Sequence, residues 1–213
     1  MEFPVYEFRE KVADALVHSI RVLAAVIGVT ILIVMTALNG DDDAMIAGAV
    51  FGVGLLASFT ISAAHNIVEL PDWKAVLKRA DHAGVYLLIA GAYTPIAAVV
   101  IGGQVGWSVL AFVWVTAIAG VILNVALPER FNRAPIVLYL MIGWALIGAS
   151  DSAVSAMSRE GLSYIIYCAM ALSTGLIFAR WDALPFQNAI WHVFVLGAIS
   201  FLYAAIFVEL TAR

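Results

Sequence analysis

Long apolar stretches alternate with short polar connectors along the whole chain. Seven of them are long enough to cross a bilayer: residues 14–38, 44–66, 82–101, 107–127, 134–150, 161–180 and 188–210. A hydrocarbon core about 30 Å thick takes roughly 20 apolar residues per helical crossing. The runs are continuous, whereas barrel strands show alternation in pieces of about ten residues, so the pattern predicts helices. The expected architecture is all-α, one domain over residues 1–213 forming an integral membrane bundle of seven transmembrane helices.

The connectors carry the punctuation. Residues 1–13, with Phe3, Val5, Phe8 and Val12 set among charges, read as a headgroup-level amphipathic lead-in or as a plain solvated terminus. His18 and Arg21 fall in the first two turns of the first span, where long side chains can still reach the interface. Asn39, Gly40 and Asp41 to Asp43 end that span; the acidic triplet reads as a solvated turn that caps the next helix. Pro71 and Asp72 open a short basic segment with Lys74, Lys78 and Arg79. Pro95 removes a backbone hydrogen bond inside the third span and predicts a kink there. Gly102, Gly103 and Gly106, then Pro128 to Pro135, then Asp151 to Glu160, mark the later turns.

Composition fits a bilayer and excludes a soluble domain: 64% of the 213 residues are hydrophobic, 12% are charged, and the mean hydropathy is +1.01. Glu2, Glu7, Arg9, Glu10 and Lys11 crowd the start without a short apolar core, so no cleavable signal peptide is expected. Cys168 is the one cysteine, which rules out an intramolecular disulfide and a thiolate metal cluster. Basic residues set the orientation. With the N-terminus inside, eight lysines and arginines fall on the cytoplasmic side and two, Arg159 and Arg213, on the other. The expected topology therefore has a cytoplasmic N-terminus, and all four histidines then lie near the cytoplasmic ends of their helices.

Polar groups in a span are costly and often functional. His65 closes the second span and Asp81 with His82 opens the third, across a connector of about fifteen residues, so polar groups return to one end of two neighbouring helices. His65 reads equally as a metal ligand and as an interfacial histidine. Asp81 reads as a site carboxylate or as a helix cap. His82 lies about 100 degrees further round the helix than Asp81, which favours an interfacial place for it. Asn188 and His192, four apart, share one helix face, the spacing by which two side chains converge on an ion.

The residues EKVADALVHS at 10–19, SAAH ending at His65, ADHAGVYLLIAGAYTP at 80–95 and NAIWHVFVLGA at 188–198 together resemble the hemolysin III branch of the progestin and adipoQ receptor superfamily, whose wider relatives include the alkaline ceramidases. The resemblance spans nearly the whole chain and is most specific over DHAGVYLLIAGAYTP. It implies a cytoplasm-facing zinc site, with His65 and His192 as ligands and Asp81 holding the zinc-bound water. Two positions depart from the family pattern. Ile61 stands where a serine is expected four residues before the histidine of the second span, and Ser62, on the same helix face, is its substitute. Asn188 stands where relatives carry a third histidine, and its amide oxygen is a much poorer partner for zinc. If zinc is held, the third ligand comes from Asn188, from Asp81 or, ranked lower, from His18. In the first span Asp14 stands where relatives often have asparagine, while Glu10 and His18 fit.

Two functions follow from this resemblance. One is a zinc-dependent hydrolase of a lipid amide or ester, with Asp81 and Ser62 in catalytic roles, His65, His192 and Asn188 on the metal, and a bound water whose pKa falls to about 7. The other is a non-enzymatic membrane sensor or homeostasis protein with a weakened or absent metal site. A channel or transporter fits less well, since no inverted repeat and no charged row along a path is visible. The expected partner is a membrane lipid, not nucleic acid, and the expected location is multi-pass in a bacterial inner (plasma) membrane.

Overall fold

The structure, a computed structural model, describes residues 7–126, 141–142, 145–146, 148–181 and 183–212. The expected fifth span, 134–150, and the turn from Pro128 to Pro135 lie largely or wholly outside the described residues. Among those residues the fold is all-α, without a strand. The helices are α1 (Phe8–Leu38), α2 (Asp42–Ile67), α3 (Pro71–Thr94) with a π-helical continuation (Pro95–Ile101), α4 (Gly103–Ala126), a short α5 (Ser150–Ala156), α6 (Arg159–Ala179) and α7 (Gln187–Thr211). Six of the described helices, all but α5, are long and apolar enough to cross a membrane.

The direction of each α1 side chain follows from its place on the helix. Asp14, His18, Arg21, Ala25, Val29, Leu32 and Thr36 recur at steps of three and four and form the buried stripe, while Leu16, Ile20, Leu23, Ile27 and Val34 are exposed on the lipid-facing side. The sequence placed Arg21 at the interface by reach. It is instead 3% exposed, because it lies on the stripe that faces α2 and α7. The helix also starts six residues before its apolar window, at Phe8. The Glu7 N–H donates to Glu10 Oε2 at 3.0 Å, and Lys11 pairs with Glu69 at 2.6 Å, which ties the start of α1 to the α2–α3 turn.

Small residues set the packing of α2 on α3. A Cβ on Gly54 would stand 2.6 Å from the Leu87 carbonyl oxygen, and one on Gly84 would stand 3.2 Å from Ser58 Cα, so the two backbones nearly touch. Each step back along α2 is matched by a step forward along α3, an antiparallel register that brings Ser62 level with Asp81. Pro95 opens the π-helical segment, where the Gly102 N–H reaches back five residues to the Ala97 carbonyl at 3.0 Å. Gly102 and Gly103, at φ +62 and +57, then turn the chain into α4. The apolar core joins Leu32 of α1, Phe51, Leu55 and Phe59 of α2, and Ile206 and Leu210 of α7. At the end far from His65, the buried Glu209 carboxylate accepts from the Ser158 N–H and hydroxyl, both at 2.8 Å, and so fastens the start of α6 to α7.

Candidate functional site

The start of α1, the end of α2 and the starts of α3 and α7 meet at one end of the bundle, and a polar cluster fills the junction. Ser62, 3% exposed, stands beside the Asp81 carboxylate, as their shared level in the register leads one to expect. His65, one turn further along α2, is half-buried. Its backbone carbonyl accepts from Lys74 Nζ at 2.6 Å, while its ring Nδ1 is buried without a partner. His82 is exposed.

Across from these, α1 and α7 meet through their histidines. The fully buried His18 ring packs edge-on against His192, with centroids 4.3 Å apart. His18 Nδ1 lies 2.8 Å from the Asp14 backbone carbonyl; a carbonyl can only accept, so Nδ1 carries the proton and the lone pair sits on Nε2. That Nε2 is buried with no partner. His192 is held differently. Arg21 Nη1 donates to His192 Nδ1 at 2.8 Å, and the guanidinium lies over the Phe59 ring at 4.2 Å, within electrostatic reach of Asp81.

Asn188, a turn before His192, ties three helices together. Its Nδ2 donates at 2.9 Å to Asp14 Oδ2 on α1 and at 2.9 Å to Asn66 Oδ1 on α2. The main chain is anchored as well: the Phe186 N–H at the head of α7, where φ is +60, donates to Glu10 Oε1 at 2.8 Å. Sequence reasoning singled out Ser62, His65, Asp81, Asn188 and His192, and all five stand in this cluster. Arg21, Asp14 and Asn66 were not counted among the site residues. The spacing of Asp14, His18 and Arg21, four and then three apart, was the signal that would have found two of them.

Zinc can be set against this donor set. A neutral imidazole has one donor and one acceptor nitrogen, and an arginine can only donate. The Arg21 contact therefore fixes the proton of neutral His192 on Nε2 and uses the lone pair of Nδ1, so no nitrogen of His192 is free for a metal. Asn188 donates both contacts through Nδ2, so all it could offer a metal is its amide oxygen, a poor partner for zinc. Among the described residues no group of three or more His, Cys, Asp or Glu side chains is placed to hold a metal ion. As arranged, these residues do not fit zinc.

Residues 6–207 match the model of a family described as haemolysin-III related. The chain belongs to this family. It is 32% identical over 195 residues to Hemolysin-3 of Bacillus cereus, covering 92% of this chain and 89% of the relative. It is 31% identical over 199 residues to the Hemolysin-3 homolog of Bacillus subtilis strain 168, covering 93% of each. A more distant relative, the human monocyte to macrophage differentiation factor, is 27% identical over 208 residues, covering 92% of this chain and 83% of the other. That relative is of the progestin and adipoQ receptor type, and the hemolysin III branch of that superfamily is where the chain falls. Like the family, it is a multi-pass membrane protein.

Proposed function

We propose that this hemolysin III protein is a non-enzymatic membrane sensor or homeostasis protein of a bacterial inner membrane. In this reading its N-terminus is cytoplasmic, and the polar cluster holds α1, α2, α3 and α7 in one arrangement without a catalytic metal. The observation that carries this reading is the Arg21 to His192 contact at 2.8 Å, which takes up the histidine that a zinc hydrolase would need. Asn188 supports it, since the N–H groups of its amide join α7 to α1 and α2. Polar groups that satisfy one another across membrane helices act as glue and favour a single packing.

A second reading, the zinc-dependent hydrolase of a lipid amide or ester, is favoured by two observations: the approach of Ser62 to the Asp81 carboxylate and the unpartnered His65 Nδ1. In that reading Asp81 orients a water and His65 is a ligand, and zinc would supply the lowered water pKa. One experiment separates the two readings. The purified chain in lipid vesicles is supplied with zinc and with labelled ceramide or phospholipid, beside a His65→Ala variant. We expect no turnover above that of the variant. Turnover by the wild type that His65→Ala abolishes would replace the first reading with the second.

A further inference from the structure

The polar cluster fills one end of the bundle, and an apolar groove opens sideways in the other half. α2 and α4 pack on α3 from either side. α3 is drawn close to α2: a Cβ on Gly54 would stand 2.6 Å from the Leu87 carbonyl oxygen, and one on Gly91 would stand 3.1 Å from that of Val50. The groove between α2 and α4 has a volume of about 360 Å³. Ile46, Val50, Val53 and Ala57, at steps of three and four on α2, line one side; Leu87 of α3 and Trp114 of α4 complete it. Val53 is 70% exposed, so the groove opens outward within a membrane span. Trp114 Nε1 donates to the Thr94 hydroxyl at 3.2 Å, which satisfies the one polar group of the indole and ties the ring to α3.

The dimensions of the groove select its occupant. From Ile46 to Ala57 it runs about 16 Å along α2 at 1.5 Å per residue, close to half of a hydrocarbon core about 30 Å thick. It starts one turn into α2, at the end far from His65, and so lies mainly in the leaflet opposite the polar cluster. Eight residues line it, too few for a second copy of the chain, since a stable protein interface takes about 20 to 30 a side. One hydrocarbon chain of a lipid in that leaflet has the length and the polarity. The mouth adds charge. Asp41 caps α2 by accepting from the Ala44 N–H at 2.9 Å, which leaves Asp42 and Asp43 exposed on the first turn, four and three residues before Ile46 and on its side of the helix.

We propose that the groove between α2 and α4 is a phospholipid site, in which one acyl chain lies along Val50, Val53 and Ala57 and an ammonium head group stands over Asp42 and Asp43. The site is separate from the polar cluster and holds whether or not that cluster takes a metal.

The full chain is reconstituted in vesicles of phosphatidylethanolamine and phosphatidylglycerol. A trace of one or the other lipid carries a diazirine midway along one acyl chain, and adducts formed on illumination are mapped by mass spectrometry. The ethanolamine probe should label residues 46–57 and Trp114 roughly fivefold or more above Leu23 and Ile27, on the exposed face of α1, a preference of about 1 kcal/mol. Ala57→Phe fills the groove and should bring its labelling down to the α1 level while labelling of α1 is unchanged, which also reports correct insertion. Should that variant fail to insert, Ala49→Phe takes its place. Asp42→Asn/Asp43→Asn should lower groove labelling by the ethanolamine probe to that by the glycerol probe. Even labelling around the bundle, or a filled groove labelled like wild type, overturns the site. Equal labelling of the wild-type groove by the two probes overturns the ammonium head group. Each of these results leaves the reading of the polar cluster as it stands.

Discussion

At the scale of single residues, the cluster joins its helices through a few hydrogen bonds while Asp14 Oδ1, His18 Nε2, Arg21 Nε and His65 Nδ1 stay buried without partners, so removing one more donor costs more than its bond is worth. Asn188 shows this most directly. Replacing it with leucine, close in size, strips Asp14 Oδ2 and Asn66 Oδ1 of their shared donor, and Asp14 Oδ1 is already buried without a partner. A lost interhelical hydrogen bond in a membrane averages somewhat under 1 kcal/mol, and an unsatisfied buried polar group costs about 1 to 3 kcal/mol. Asn188→Leu should therefore lower unfolding stability by about 1 to 3 kcal/mol, read by thermal or denaturant unfolding in micelles. No measurable change would mean that Asp14 and Asn66 are satisfied elsewhere. The same residues show what the sequence made legible. Asp81, His65 and His192 are polar positions at the ends of apolar spans, open to more than one reading from the residues alone and singled out by the family resemblance. Arg21 escaped because a long side chain near a helix end can snorkel, and reach was weighed where position decides. Counted in steps from Asp14, it falls on the inward stripe of α1 and has no route to water.

At the scale of elements, helix-to-helix distance is what places polar groups opposite one another. The contact of Gly54 with the Leu87 carbonyl sets the approach of α2 to α3 and hence the level of Ser62 against Asp81. Gly54→Ala puts a methyl 2.6 Å from that carbonyl, closer than carbon and oxygen can pack, so α2 must move away. Overpacking of this kind costs typically 1 to 3 kcal/mol, and the shift should separate Ser62 from Asp81 as well. A cysteine pair engineered at 62 and 81 should cross-link readily in an otherwise wild-type background and slowly when Gly54→Ala is added. Equal rates would show that the register does not depend on Gly54. Apolar windows announced the described spans well because bilayer thickness dictates their length. They announced the ends of helices poorly. Phe8 to Ala13 is too charged to count as apolar, yet it is helical because Glu10, Lys11 and Glu69 fix it to neighbouring segments. Pro95 was legible as a break, but its outcome, a π-helical run ending at a pair of left-handed glycines, depends on Ala97 and Gly106 packing together and cannot be read from proline alone.

At the scale of the whole molecule, the cluster lies wholly at one end of the bundle, the end that carries the starts of α1, α3 and α7 and the finish of α2. Which leaflet that is decides whether a sensed ion or lipid headgroup reaches it from the cytoplasm or from outside. The fold itself is blind to the question, since a helix is equally stable in either direction across the membrane. The distribution of basic residues is not blind. Lys74, Lys78 and Arg79 sit beside the cluster on the segment entering α3, Arg9 and Lys11 at the start of α1, and Arg180 at the end of α6, whereas Arg159 lies at the opposite end. Short connectors rich in lysine and arginine stay on the cytoplasmic side. We therefore expect the cluster to face the cytoplasm and the C-terminus to lie outside. A reporter that is active only in the cytoplasm, fused after Arg213, should stay silent, while the same reporter inserted in the α2–α3 connector at Glu69 should be active. The reverse pattern would move Arg21 and its histidines to the outer leaflet, where any ion exchanged with the site would come from outside the cell.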